Sequence, residues 1–197
     1  MAALATVDFY ETVTGSCADR GRVEALLAAA SDAVRSETGQ TISAATSTNV
    51  TLFNYEGTFY FPQRPVRSVT SVTIDGEVVD PESYRWEAGG NGQHARLIAL
   101  DTDGNDTDFE APKAVATYAH GWTTVPGDIA MAVVLMVKGV VSSGGGARVT
   151  QHAIEGFSES FEGGPNPDMS LTDSMRSTLK RRCGVPRFAS IQTGRTP

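Results

Sequence analysis

The hydrophobic positions along the chain follow two different periods, which divide the sequence into helical and β-rich parts. Residues 6–13 and 18–37 place apolar side chains at the three- and four-residue spacing of a helix face, so two helices are predicted. Residues 46–100 instead show short alternating runs between turn signals, with an Asp-Gly hairpin signal at 75–76, and a further strand is predicted at 113–120. Helices followed by a block of hairpins and then another helix indicate an α+β fold with an antiparallel sheet.

The strand at 113–120 alternates clearly enough to assign its faces. Val115 and Thr117 are predicted to be buried on one face, and Ala116 and Tyr118 to lie on the other. We therefore expect the first pair to pack in the core.

Residues 129–141 form an apolar run that only Lys138 and Gly139 interrupt. Pro126 and Asp128 suit the first turn of a helix there, because proline lacks the N–H that would be unpaired and an acidic side chain complements the helix dipole. The run is well short of the roughly 20 residues that span a bilayer, so we expect a core helix or one shared with neighbouring subunits. The residues predicted to pack in this core or subunit contact are Trp122, Ile129, Val133, Met136 and Val137.

Two glycine-rich breaks separate the end of the sequence from the rest. They lie at residues 144–146 and 163–167, and the first has the composition of a flexible hinge. We therefore divide the chain into a body, residues 1–145, and a C-terminal arm, residues 146–197.

The arm contains a short basic helix that begins after Ser170 or Thr172, either of which can cap it. Six basic residues and no acidic one lie between residue 174 and the end, although the chain has a net charge of −7. A narrow apolar stripe on a basic helix favours docking on an acidic surface, and a solvated tail or packing on the chain's own acidic body are the alternatives. The predicted docking residues are Leu171, Met175, Arg176, Leu179, Lys180, Arg181 and Arg182.

An acidic loop at residues 101–108 is the clearest candidate for a metal site. An EF-hand loop needs glycine at its sixth position and glutamate at its twelfth, whereas here Gly104 is fourth and Pro112 is twelfth. A solvated hairpin loop is therefore predicted instead.

No other segment carries a catalytic or cofactor motif. The histidines occur singly, Cys17 and Cys183 have no partner at metal-ligand spacing, and residues 144–146 lack the Lys-Ser or Lys-Thr of a phosphate loop. We expect no cofactor, no enzymatic activity and two reduced thiols, although a site assembled from distant residues leaves no motif. The acidic body also argues against nucleic acid as a bound ligand.

Four segments together resemble the head-to-tail adaptor (connector, or head completion) proteins of long-tailed bacteriophages. They are residues 33–39, residues 62–76 with Pro-Val-x-Ser-Val, residues 118–129 with Gly-Trp-x-x-Val-Pro-x-Asp-Ile, and the pair 156–161 and 171–173 before the basic helix. Their order and spacing cover most of the chain.

The resemblance implies a helical bundle with an inserted β-hairpin-rich lobe and an extended C-terminal arm. It implies a structural virion protein of the neck, made and assembled in the host cytoplasm. A ring of commonly twelve copies would lie beneath the portal protein, extend the DNA channel and attach a head-tail stopper or another tail-side neck protein. DNA would pass through without sequence-specific binding.

The resemblance also gives the candidate residues their roles. The basic helix would dock on portal carboxylates. The acidic loop would line or rim the channel through some of Asp101, Asp103, Asp106 and Asp108, and an outward-facing surface loop is the alternative. The competing interpretation is an intracellular carbohydrate-binding or enzymatic β-module, with Trp86 or Trp122 as a binding platform. A stand-alone intracellular scaffold is a third.

Overall fold

The computed structural model describes residues 1–15, 17, 19–142 and 171–183. Within them the chain is α+β with an antiparallel sheet, as the sequence predicts, and it has four α-helices and one curled sheet of eight strands; the helical bundle stays a prediction. The helices are α1 (Val7–Thr14), α2 (Arg20–Thr38), α3 (Gly127–Ser142) and α4 (Asp173–Cys183). The strands are β1 (Ala45–Tyr55), β2 (Thr58–Tyr60), β3 (Val66–Ile74), β4 (Glu77–Val78), β5 (Tyr84–Glu87), β6 (Arg96–Leu100), β7 (Asp106–Thr107) and β8 (Lys113–His120).

The chain divides into two compact units. The helical unit comprises Met1–Glu37 and Pro126–Arg176, and the β unit comprises Thr38–Val125 and Ser177–Pro197. The predicted boundary at residue 145 lies outside the described residues, so the division into body and arm stays a prediction.

Local signals set the ends of the first helix in the helical unit. The side chain of Thr6 accepts a hydrogen bond from the N–H of Phe9 at 3.1 Å, which caps the start of α1. Gly15 ends the helix at φ 86°, and its N–H donates to the carbonyl of Glu11 at 2.8 Å. Helix α1 contacts α3, and both helices therefore contribute to the same unit.

The sheet of the β unit curls around a single core. The strand order is β4-β3-β8-β1-β2-β6-β5, and β7 also pairs with β6. Val72 of β3 and Tyr84 of β5 lie near opposite ends of that order, yet both belong to one buried cluster. A flat sheet would hold them apart, so the sheet must bend. The other buried members are Leu52, Phe59, Phe61, Val66, Ala95, Leu97, Ala114, Ala116 and Tyr118.

The faces of β8 are the reverse of those predicted. Ala116 and Tyr118 are buried, whereas Val115 and Thr117 are half-buried on the opposite face. The Tyr118 ring lies 4.7 Å from that of Phe61. Ala114, Ala116 and Tyr118 share one buried cluster with Phe59 and Phe61, and the pattern of a single strand contains no information about such distant partners.

Two tight backbone positions shape the unit. The predicted hairpin is confirmed, since Asp75 and Gly76 join β3 to β4 with φ values of 52° and 90°. After β8, Gly121 has φ 77°, and a side chain there would collide with the carbonyl oxygen of Ser43. The next residue, Trp122, is half-buried and lies shortly before α3.

Candidate assembly surfaces

Helix α3 buries most of its apolar residues and exposes others on one narrow face. The buried residues are Ile129, Ala130, Ala132, Val133, Val134, Met136 and Val137. Met131 and Leu135, four residues apart on the same face, are exposed, and Leu135 keeps 42% of its surface accessible. Lys138 follows on this face and is also exposed. We call these three residues the α3 strip.

The predicted packing residues of α3 are thus enclosed by the chain itself. Ile129, Val133, Met136 and Val137 are buried without any second copy, and Trp122 is half-buried. The apolar surface of α3 that remains for a neighbour is formed by Met131 and Leu135 of the α3 strip and by Val141 at the end of the helix.

Asp101 organises the acidic loop as a turn. Its carboxylate accepts hydrogen bonds from the backbone N–H of Asn105 at 2.8 Å and of Asp103 at 2.9 Å. The bond from Asn105, more than any other contact, lowers the pKa of Asp101. Both bonds are local, so this carboxylate serves as a turn acceptor in a solvated hairpin loop.

Asp106 belongs to a chain of ion pairs on the outer face of the sheet. Its carboxylate lies 2.6 Å from Nη2 of Arg85, whose Nη1 lies 2.9 Å from Glu87. Glu87 in turn accepts a bond from Nε of Arg96 at 2.5 Å. Hydrogen bonds from Arg96 and then Arg85 lower the pKa of Glu87, and the bond from Arg85 lowers that of Asp106. The two arginines and two carboxylates balance, so these four side chains together carry no net charge.

The four predicted channel residues therefore differ from one another. Asp101 closes its own turn and Asp106 is paired, while Asp103 and Asp108 are exposed. Uncompensated negative charge at this loop comes mainly from Asp101, Asp103 and Asp108.

The first turn of α4 belongs to the helical unit. The side chain of Thr172 accepts the N–H of Met175 at 3.3 Å and caps the helix, as the sequence predicts. Leu171 is buried, and Nε of Arg176 lies 3.4 Å from the carboxylate of Glu37. Arg176 thus already has an acidic partner within the chain.

The last two turns of α4 lie against a loop of the β unit. Leu179 keeps only 1% of its surface accessible and Cys183 is fully buried. Nη1 of Arg182 donates to the side-chain oxygen of Asn91 at 2.9 Å, and the N–H of Asn91 donates to the carbonyl of Arg182 at 3.1 Å. Of the predicted docking residues, Lys180 and Arg181 remain exposed.

An aromatic surface on β1 is absent from the predicted sites. Phe53 keeps 64% of its surface accessible, and Tyr55 is exposed on the same face of the strand. The rings of Tyr55 and Tyr60 are 6.4 Å apart, and those of Tyr60 and His94 are 5.9 Å apart. Alternation around the buried Leu52 carries the signal, because Phe53 and Tyr55 fall on the opposite parity.

Among the residues that the structure describes, Ser47 and His120 are placed like a catalytic pair. Oγ of Ser47 lies 2.9 Å from Nε2 of His120, whose pKa is lowered by burial. Nδ1 of His120 is buried without a hydrogen-bond partner, so the group that would orient a catalytic imidazole is missing from the pair. A buried polar contact explains these two residues. Trp86 packs against the core of the sheet, which leaves it poorly placed as a sugar platform.

Metal binding and membrane insertion concern the described ranges, residues 1–15, 17, 19–142 and 171–183. Among those residues, no group of three or more His, Cys, Asp or Glu side chains is placed to hold a metal ion. None of the helices there is both long enough and apolar enough to span a membrane.

Three solved chains from gene transfer agent (GTA) particles are similar to this one. A chain in the neck of a native GTA particle, computed with C12 symmetry, is 19% identical with a TM-score of 0.46, covering 69% of this chain and 76% of that one. A chain in the virion of a native GTA particle is 18% identical with a TM-score of 0.46, covering 76% and 81%. A chain in the neck of an empty GTA particle, computed with C6 symmetry, is 20% identical with a TM-score of 0.45, covering 75% and 80%.

No curated protein sequence matches this chain. The family model for the head completion protein matches residues 3–141, which include α1 to β8 and nearly all of α3. The match spans most of the sequence, and the chain therefore belongs to the head completion protein family.

Proposed function

We propose that this protein is a structural adaptor of the virion neck that forms a ring beneath the portal protein. The ring extends the DNA channel and gives the next tail-side protein, such as a head-tail stopper, a surface to attach to. Membership of the head completion protein family over residues 3–141 carries this proposal. The protein acts by assembly and not as an enzyme, and it joins the particle in the host cytoplasm.

The α3 strip supplies one contact between neighbouring copies. In the ring, α1, α2 and α3 form the helical bundle of each subunit, and Met131 and Leu135 are apolar residues that α3 leaves exposed. Two exposed apolar side chains one helical turn apart suit a small contact repeated around a ring, and closure of the ring multiplies its effect. Twelve copies are the expected number.

Helix α4 supplies the contact with the portal. Lys180 and Arg181 are exposed and basic, and they suit carboxylates on a partner surface. Leu171, Met175, Arg176, Leu179 and Arg182 complete the proposed docking residues. Since Leu179 is buried within the chain, it reaches a partner only if the end of α4 leaves its place on the β unit.

The acidic loop suits the rim or lining of the channel. Exposed carboxylates repel the DNA backbone, so DNA passes without being gripped. Asp101, Asp103 and Asp108 contribute most of this repulsion, and Asp106 less because Arg85 neutralises it.

The proposal is tested by completing phage heads in vitro. DNA-filled heads assembled without this protein are mixed with the purified chain, and bound copies per head and retained DNA are measured. The expected result is saturation at a fixed copy number together with slower loss of DNA. Absence of binding, or binding that rises without saturation, would overturn the proposal. Heads lacking the portal serve as the control and should bind no chain.

A further inference from the structure

The end of α4 contacts a loop of the β unit at Asn91, and the same loop contacts a buried arginine, Arg64, through Gln93 and His94. Arg64 is almost completely buried, and no ion pair joins it to a carboxylate within the residues that the structure describes. Its Nη1 lies 3.1 Å from Nδ1 of His94, and its Nε has no hydrogen-bond partner. Buried arginines are normally paired, so this contact gives up stability that a carboxylate would have supplied.

Cys183 lies at the same contact. Burial lowers the pKa of Arg64, and the nearby Cys183 sulfur, when ionised, opposes this effect. The end of α4 also brings backbone carbonyls to the loop, since the carbonyl of Arg182 accepts the N–H of Asn91. The negative end of a helix dipole is favourable near a cation.

Few buried residues fix the end of α4 at this contact. In its last two turns Leu179 and Cys183 are the buried residues, and a pair of hydrogen bonds joins Arg182 to Asn91. A helix as short as α4 is marginal without tertiary contacts. Such a segment opens at a lower free energy than the core of the sheet.

We propose that the end of α4 is a releasable latch on the β unit. The latch consists of Arg182, Leu179 and Cys183 on the helix and of Asn91 on the β unit, in the loop that Arg64 contacts at Gln93 and His94. When closed it hides Leu179 and Cys183, and when open it presents Leu179 together with Lys180 and Arg181 as one surface with an apolar centre and basic edges. This deepens the proposed function, on which the use of the open state rests, because a portal would bind the open state and shift the population towards it.

Alkylation of Cys183 reports opening directly, because a fully buried thiol cannot react while the latch is closed. The full chain carrying Cys17→Ser is treated with iodoacetamide in rising urea, and labelling of Cys183 is followed by mass spectrometry. We expect labelling at urea concentrations where the far-UV circular dichroism is still that of the folded protein. Labelling that tracks global unfolding would overturn the latch.

Variants of the polar contact sharpen this test. Asn91→Gly removes the side-chain oxygen that binds Arg182, and glycine accepts the φ of 52° at this position. Asn91→Gly and Arg182→Ala should each accelerate labelling by about five-fold, the effect of losing one hydrogen bond, and the double variant should add little more. Lys180→Ala removes an exposed charge from the same helix and should leave the rate unchanged. Equal rates in all variants would contradict the latch.

The latch and the proposed function fail in distinguishable ways. If labelling is accelerated in the Asn91→Gly chain but the wild-type chain never binds portal-containing heads, the latch stands and the portal role falls. If the wild-type chain binds heads but Cys183 reacts only on global unfolding, the adaptor role stands and the latch falls.

Discussion

Helices α3 and α4 distribute their apolar residues in opposite ways. Helix α3 is apolar along most of its length, and it buries one broad side while exposing Met131 and Leu135. Helix α4 is strongly polar, and it buries the apolar residues of its last two turns, Leu179 and Cys183. The helix with an excess of apolar side chains thus leaves some exposed, and the helix with few of them exposes almost none.

This difference changes what each helix offers a partner. The exposed surface of α3 is permanently available and mainly apolar, which suits a contact that forms on assembly and stays. The exposed surface of α4 is basic, and its apolar residues are available only after a local opening. A regulated contact is therefore expected from α4 and a constitutive one from α3.

The largest expected effect is a difference in stability between substitutions on the buried and on the exposed side of α3. Val133→Asp places a carboxylate at a fully buried position, which should cost about 4 kcal/mol or more in the free energy of unfolding, because the charge has no partner there. Leu135→Asp, two residues along on the exposed strip, should cost about 1 kcal/mol or less, the range of surface and helix-propensity effects. Urea denaturation of both variants provides the measurement.

The same pair tests the role of the α3 strip in assembly. The folded Leu135→Asp chain should fail to saturate portal-containing heads, since a charge replaces an apolar contact between copies. Full occupancy of the heads by this variant would remove the strip from the subunit interface.

The next largest effect concerns Leu179. Leu179→Ala removes a buried side chain and should lower the free energy of unfolding, or of local opening if the latch unfolds separately, by about 2–3 kcal/mol. Lys180→Ala, its exposed neighbour, should change stability by less than about 0.5 kcal/mol. Hydrogen exchange of α4 amides measures both. Equal protection in the two variants would mean that Leu179 does not hold the helix.

A smaller effect is expected at the first turn of α4. Arg176 and Glu37 form a partly exposed ion pair, so Arg176→Gln should cost at most about 0.5 kcal/mol after screening by solvent. The cost should disappear in 1 M salt, where the Debye length is about 3 Å. A larger loss that persists in salt would show that Arg176 contributes by packing.

The bounds of the helices and the position of the hairpin could be predicted from the sequence. Which face of each element is exposed could not. Helix bounds followed from local signals such as Thr6 and Gly15, and the hairpin at 75–76 from the backbone preferences of Asp and Gly. These signals act between residues close in sequence, and such residues are enough to determine where a helix or a hairpin begins and ends. The face that β8 buries depends on residues distant in sequence, such as Phe61 against Tyr118, so the pattern of the strand alone predicts the wrong side.

The candidate sites show the same limit. The basic composition of α4 was visible in the sequence, whereas the bond between Arg182 and Asn91 joins residues that are 91 positions apart. The ion pair between Arg85 and Asp106 likewise required the pairing of β6 with both β5 and β7. Partners that are distant in sequence determine which charged side chains remain unpaired for binding another protein. The spacing of residues along the sequence does not predict these partners.

The smallest effect on stability is expected at the acidic loop. This surface has exposed charges and no exposed apolar side chains, so it serves as a comparison for α3 and α4. Asp103→Asn together with Asp108→Asn should leave the melting temperature unchanged, because both side chains are exposed. In completed heads, the same pair should slow DNA ejection if the loop lines the channel, since less charge repels the DNA backbone. Unchanged ejection would place the loop away from the channel.

The central claim is that copies of this chain form a closed ring on the portal. Cryo-electron microscopy of heads completed with the purified chain tests it most directly. We predict a continuous ring of identical copies beneath the portal, with the α3 strip between neighbours and α4 against the portal. Isolated copies without a ring, or a ring bound elsewhere on the head, would contradict the account.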